Sequence, residues 1–98
     1  MDLQACTLAI REKLGDRSGL DAKLKFDCGQ DGVVVIDGTQ MPHQVSNEDV
    51  ESDCTCHLTL ENLAALIQKQ LDPMMAVFSG KMSLSGDMSV AMKLQKVL

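Results

Sequence analysis

Ninety-eight residues supply one layered core, so one site on one small domain spanning 1–98 is expected. A hydrophobic share of 45% with 23% charged residues excludes a disordered chain. Nine Lys+Arg stand against fourteen Asp+Glu, and Phe26 and Phe78 are the only aromatic residues; the formal charge of −5 and the missing stacking surface exclude nucleic acid as a partner.

Leu3, Thr7, Ile10 and Leu14 fall at helical spacing, with Asp2 ahead of them, Arg11 and Lys13 near the end and Gly15 beyond, which predicts a helix over 3–14. From Leu20 the period changes to two. Leu20, Ala22, Leu24, Phe26 and Cys28 alternate with Asp21, Lys23, Lys25 and Asp27, the pattern of a strand with one wet face. Gly29-Gln30-Asp31-Gly32 separates it from Val33-Val34-Val35-Ile36, so a hairpin through a four-residue turn is expected. Residues 37–52 are polar and acidic; Pro42 marks an edge or irregular piece, with a short third strand near His43 to Val45. Alternation returns at 53–58, where Cys54, Cys56 and Leu58 share one side and Asp53, Thr55 and His57 the other.

Thr59 is a natural N-cap for a helix with Leu60, Leu63, Leu66, Ile67 and Leu71 as its stripe. Asp72-Pro73 then restarts a short helix with a bend at 72, and Gly80 closes it. Met82 and Leu84 alternate with Lys81, Ser83 and Ser85 as a last strand, Gly86-Asp87 turns the chain, and 88–98 is predicted helical to the end.

Chemistry is hard to find along this chain. No basic segment precedes an apolar run, and nowhere do about eighteen apolar residues follow one another, so neither signal peptide nor membrane span is expected and a cytoplasmic location is. Cys6, Cys28, Cys54 and Cys56 are expected as free thiols, because a domain with this much apolar residue needs no staples. Cys54 and Cys56 share a strand face from which His57 points away, and structural zinc wants four ligands in spaced pairs, so no metal is expected. Gly80-Lys81 lacks the glycine loop of a phosphate cradle, and Gly29 and Gly32 lack a dinucleotide fingerprint. The two histidines have no evident nucleophile to activate. No catalytic residue, no cofactor and no enzyme activity are therefore expected.

Charge is uneven: from Asp27 to Glu61 there are eight acids and no Lys or Arg. A solvated acidic surface accounts for this, and a second reading has Lys81, Lys93 and Lys96 with Arg11 and Lys13 forming a side that meets anionic membranes. Methionine is the other bias. Met74, Met75, Met82, Met88 and Met92 fall within nineteen residues, with Phe78 among them. Met74, Met75 and Phe78 are spaced to share a helix face, and Met88, Ala91, Met92 and Gln95 form an i, i+3, i+4, i+7 set. Such stripes usually fill a core, yet Leu and Ile pack cores with better-defined shape, and five methionines around one strand also make a loose lining for an irregular ligand. Both readings stand on composition alone.

The runs Asp53-Cys54-Thr55, Leu71-Asp72-Pro73, Ala76-Val77-Phe78-Ser79-Gly80-Lys81-Met82 and Ser85-Gly86-Asp87-Met88-Ser89-Val90-Ala91-Met92-Lys93-Leu94-Gln95 closely resemble the sterol carrier protein type 2 domain family, densely from Asp53 to Leu98 and more loosely in element order before it. The resemblance implies an α/β (α+β) fold: a five-stranded, mostly antiparallel mixed sheet with helices on one face. It further implies a hydrophobic tunnel for fatty acids, acyl-CoA, phospholipid or sterol. Lining is then expected from Leu24, Phe26, Cys54, Cys56, Leu66, Met74, Met75, Phe78, Met82, Leu84, Met88 and Met92, with Gln95 as a polar contact. The stop at Val97-Leu98 leaves no room for the longer C-terminal segment and peroxisomal address of animal relatives, so this chain is expected to be similar to short bacterial members. Three readings result: a non-catalytic lipid carrier; an accessory domain with a collapsed pocket that docks on an acyl-CoA-metabolising enzyme; and a thiol or metal protein using Cys54 and Cys56.

Overall fold

In a computed structural model, which describes residues 1–14, 20–40, 43–94 and 98, Asp2 opens the first helix: its Oδ1 accepts the Ala5 amide at 2.8 Å and starts α1 (Leu3–Leu14). Cys6, Thr7, Ile10 and Leu14 form its buried face, the stripe that the spacing predicts. Alternation then builds the sheet. In β1 (Lys23–Asp27), Leu24 and Phe26 are fully buried while Lys23, Lys25 and Asp27 lie on the other side. Regular pairing starts later than the Leu20 alternation implies, because Asp21 takes a left-handed conformation (φ 51°) that interrupts extended backbone.

A 3-10 turn at Gly29–Asp31 leads into β2 (Val33–Asp37), which pairs antiparallel with β1, Phe26 facing Val34. The short strand anticipated near His43 is β3 (Gln44–Ser46), on the outer edge of β2. β4 (Cys54–Leu58) joins β1 in parallel, and β5 (Met82–Gly86) pairs antiparallel with β4. The five strands run in the order β3-β2-β1-β4-β5, a mixed and mostly antiparallel sheet as expected.

One feature of β2 departs from a strand with a wet face: Val33 and Val35 are buried as well as Val34 and Ile36. The cause is the connection from β3 to β4, which has to pass β2 and β1. Residues 47–53 cross the face opposite Leu24 and Phe26, anchored where the Asn47 amide donates to the Val33 carbonyl and where Lys25 Nζ meets Asp49 Oδ1 at 2.6 Å. The acidic segment is thus a strap over the sheet.

The helices lie on the other face. Thr59 caps α2 (Leu60–Ile67) by accepting the Asn62 amide, and Leu63, Leu66 and Ile67 are buried. The stripe does not extend to Leu71: Lys69 turns left-handed (φ 62°) while the Gln70 amide reaches back to the Ala65 carbonyl, closing α2 with a Schellman-type bond. Asp72 then caps α3 (Pro73–Phe78) through the Met74 and Met75 amides, with Pro73 at the first position, and Asp87 caps α4 (Met88–Ala91) through the Ser89 amide.

The helix expected over 88–98 is regular from Met88 to Ala91, passes through a turn at Met92 and Lys93 and is helical again at Leu94. The Lys93 amide bonds to Val90, three residues back, tightening the turn, while Lys93 Nζ donates to the Leu20 carbonyl at 3.1 Å. A helical bond from the Leu98 amide to the Leu94 carbonyl follows, and residues 95–97 lie outside the described residues. α1 packs on α2, β2 and β3; α3 packs on β5; α4 packs on β4 and β5.

Gly86 ends β5 with φ 98°, and a Cβ there would stand 2.4 Å from the Asp53 carbonyl oxygen. Gly86→Ala is therefore expected to lower stability by about 1–3 kcal/mol through backbone conformation alone, before the collision with Asp53 is counted. A urea midpoint equal to that of the unmodified protein would contradict this.

Candidate functional site

α3 and α4 carry most of the exposed apolar side chains, and they bury remarkably little. Ala76 is the one buried residue of α3, and Val90 the one buried residue of α4, joined by Leu94 one turn on. The core side of α4 is thus the Val90/Leu94 pair, and the methionine stripe at Met88 and Met92 faces outward. Between the two helices, over the edge strand β5, lies a groove of about 460 Å³ lined by Pro73, Met74, Val77, Met82, Leu84, Met88, Ala91, Met92 and Leu94. Every one of these residues is apolar. Met74 and Met92 are themselves exposed, so among the described residues the groove is open to solvent on their side.

Of the side chains expected to line a ligand site, Met74, Met82, Leu84, Met88 and Met92 meet in this groove. Leu24, Phe26, Cys54, Cys56 and Leu66 are in the packed core between sheet and helices, Leu66 also bordering a separate cavity of about 340 Å³ beside Lys69, Asp72 and Leu98. Met75 and Phe78 are exposed and outside the lining, and Gln95 lies outside the described residues. Pro73, Val77, Ala91 and Leu94 were not anticipated. Spacing carried the signal for Val77, which is three residues from Met74 and shares its face, whereas Met75 and Phe78 form the neighbouring face.

A larger depression of about 640 Å³ runs along α2 beside Lys81, lined by Glu61, Asn62, Gln68, Gln70 and Lys81 as well as Leu60 and Leu71. Its amide and charged groups would have to give up water for an alkyl chain, so the 460 Å³ groove is the better apolar site.

The thiols lie elsewhere. All four cysteines are free and buried. Burial pushes the Cys56 thiol up to about 12, with Cys54 beside it adding to the effect, and pushes Cys28 up to about 11, with Cys6, Asp27 and Asp31 adding to it. A thiolate is the reactive and metal-binding form, so these groups are poor nucleophiles. Alkylation of the native protein by iodoacetamide at pH 8 is expected to be at least about tenfold slower than after unfolding in urea, and equal rates would show that the thiols are accessible. Among the described residues, no cluster of His, Cys, Asp and Glu is arranged to hold a metal ion.

On the opposite face His57 Nε2 lies 3.3 Å from Ser85 Oγ and its Nδ1 lies 3.8 Å from Asp27 Oδ2. The order Ser-His-Asp is that of a nucleophile relay, but the three sit side by side on adjacent strands and the 3.8 Å between His57 and Asp27 is too long for the hydrogen bond that would orient the imidazole. Asp27 also accepts the Gly29 amide, a turn contact. The sheet separates the basic residues expected to share one side: Arg11 donates to the Val45 carbonyl at the β3 edge, whereas Lys81 precedes β5 at the opposite edge, and Lys96 lies outside the described residues.

Residues 4–98 match the SCP-2 sterol transfer family. The chain belongs to that family. Its fold is accordingly that of a lipid-binding sterol carrier domain. Chicken (Gallus gallus) sterol carrier protein 2 is 36% identical over 70 residues, which are 70% of this chain and 13% of the chicken protein, so this chain spans a small part of that relative's length. Among solved structures, sterol carrier protein 2-like 2 from the mosquito Aedes aegypti superposes with a TM-score of 0.79 at 22% identity, covering 98% of this chain and 95% of that one. The palmitated form of the mosquito protein superposes with a TM-score of 0.73 at 25% identity, covering 99% and 94%. No helix among the described residues is long and apolar enough to cross a membrane.

Proposed function

We propose that this member of the SCP-2 sterol transfer family is a non-catalytic carrier that holds the hydrocarbon part of a fatty acid, acyl-CoA, phospholipid or sterol-like lipid in the groove between α3, α4 and β5. The observation that carries this reading is the lining: about 460 Å³ bounded, among the described residues, by apolar side chains alone, within the size range of small-molecule sites. Four of the nine lining residues are methionines, whose unbranched, polarizable side chains adapt to chains of different shape. The palmitated form of the related mosquito protein supports an acyl ligand.

Transfer of each methylene out of water contributes about 0.8 kcal/mol, so a sixteen-carbon chain offers on the order of 13 kcal/mol before ordering and association costs. Nothing in this binding requires a bond to be made or broken. Among the described residues the groove holds no charged side chain, so the lipid's polar head is left at the solvent edge.

Native mass spectrometry of the protein taken from its own cells tests the reading, together with uptake of a fluorescent fatty acid. A co-purifying lipid, or saturable uptake at one site, is the expected result. Protein that emerges empty and takes up no fatty acid would instead favour an accessory domain docking on another enzyme.

A further inference from the structure

β5 ends the sheet. It pairs with β4 from Met82 to Gly86, and among the described residues no strand lies on its other side. The ladder fixes where its free backbone groups point. Asp87 donates its amide to the Asp53 carbonyl at 2.7 Å, on the β4 side, so the hydrogen-bonded pairs of this antiparallel ladder are Thr55 with Ser85 and His57 with Ser83. The amides and carbonyls of Met82, Leu84 and Gly86 are therefore aimed away from β4. Edge strands are usually blunted by short length, proline or charge, and β3 at the opposite edge has three residues and follows Pro42. Met82-Ser83-Leu84-Ser85-Gly86 has neither a charge nor a proline.

The strand itself says what fits this edge. Laid antiparallel to a second copy and turned about Leu84, it sets Leu84 opposite Leu84, Ser83 opposite Ser85, Met82 opposite Gly86 and Lys81 opposite Asp87. The hydrogen-bonding phase agrees. Leu84 can exchange both its bonds with the partner's Leu84, and Met82 with the partner's Gly86, whereas a slip of one residue would set outward-pointing groups against inward-pointing ones. Charge agrees as well. Lys81 is exposed and its ammonium has no hydrogen-bonding or ionic partner among the described residues. Asp87 caps α4 through Oδ1, and a carboxylate has further lone pairs to offer. Opposite charges thus meet at both ends of the paired strands, while Glu48, Asp49 and Glu51 ride on the strap across β2 and β1, away from this edge.

We propose that a second copy of this chain adds its β5 to this edge, antiparallel about a two-fold axis at Leu84, so that two sheets become one. Leu84 is part of the groove lining, so the apolar floor of one groove continues into the other across the axis, and the site is completed by the partner. The pairing stands on the strand geometry; the joined groove rests on the carrier reading.

Sedimentation velocity over a concentration series reads the association. A monomer–dimer equilibrium is expected, and a single monomeric species up to about 1 mM would overturn the proposal. Lys81→Glu sets like charges opposite one another at both ends and is expected to weaken the dimer at least about fivefold; adding Asp87→Ser, which keeps a capping side chain on α4, is expected to restore most of that loss. Mixing Ser83→Cys with Ser85→Cys protein in oxidised glutathione reads the register. Directly opposed residues of a non-hydrogen-bonded pair have Cα atoms about 4.5 Å apart, within disulfide reach, so cross-linked dimer is expected to form several-fold faster in the mixture than in either variant alone. The native cysteines are buried and do not compete. A dimer indifferent to Lys81→Glu, or cross-linking no faster in the mixture than in the single variants, would refute this pairing. Protein that stays monomeric yet takes up a fluorescent fatty acid loses the pairing and keeps the carrier reading; a dimer that takes up none does the opposite.

Discussion

Met88→Asp is expected to weaken uptake of a fluorescent fatty acid by more than about tenfold, whereas Ser83→Asp should change it by less than about twofold. Met88 forms the α4 wall of the groove and is half exposed, so an aspartate there is tolerated by the fold. A bound alkyl chain, however, would strip water from the carboxylate, and burying an unpaired polar or charged group costs more than the methylene contacts it replaces return. Ser83 is on the adjacent strand β5 but points to the opposite face of the sheet, where a new charge meets solvent. Titration of both variants with the same probe, with circular dichroism to show that both are folded, measures the difference. Equal affinities would mean that lipid is held elsewhere, and the polar depression beside Lys81 would then be the next place to look.

Phe26→Ala should lower stability by about 3–5 kcal/mol, a large share of the roughly 5–15 kcal/mol available to a domain of this kind. Phe26 is fully buried on the central strand β1, paired with Val34 on one side and Cys56 on the other. Both neighbours are ladder residues held by backbone hydrogen bonds, so the sheet cannot collapse into the space left behind and the cavity remains. Urea unfolding followed by circular dichroism reads the loss as a lower midpoint at unchanged slope. A loss below about 1 kcal/mol would show that the helix layer re-packs onto the sheet, contrary to the close contact of Leu24, Phe26, Leu63 and Leu66 in one core.

These two variants mark the division between the protein's two apolar populations. Phe26, Leu24, Cys54, Cys56 and Leu66 are buried in the core and stabilise the fold by being out of reach of water. Met74, Leu84, Met88 and Met92 surround space that the core leaves unfilled. Pattern along the chain separates them only in part. Period-two alternation identified the buried side of β1 and β4, yet an inward-facing strand residue is equally consistent with a packed core and a cavity wall. The helix layer decides which: α1 packs with α2 and over β2 and β3, while α3 packs on the β5 edge and α4 on β4 and β5, and these last two helices bury little more than Ala76 and Val90.

Element boundaries show the same limit. Thr59, Asp72 and Asp87 cap their helices by bonding to backbone amides two and three residues away, and Asp2 opens α1 the same way, so local chemistry suffices to place them. The end of α2 was not legible, because Lys69 occupies a left-handed position where glycine or asparagine is the usual sign. The turn at Met92 and Lys93 was hidden too. There Lys93 reaches the Leu20 carbonyl, a partner seventy-three residues away that no local window contains.

What the amino-acid order determined by itself was the set of elements, the inward sides of β1 and β4, the N-terminal caps at Thr59 and Asp72 and, through the runs from Asp53 to Gln95, the family. These depend on neighbours within a few residues, where spacing and hydrogen-bonding groups act directly. Only the tertiary structure decided that the acidic segment straps the sheet, that Val90 and Leu94 rather than the methionines seat the last helix, and that Val77 rather than Phe78 faces the groove. The physical reason is that burial is a property of the assembled layers: two faces of one helix can be equally apolar, and packing against β5 selects which of them is covered.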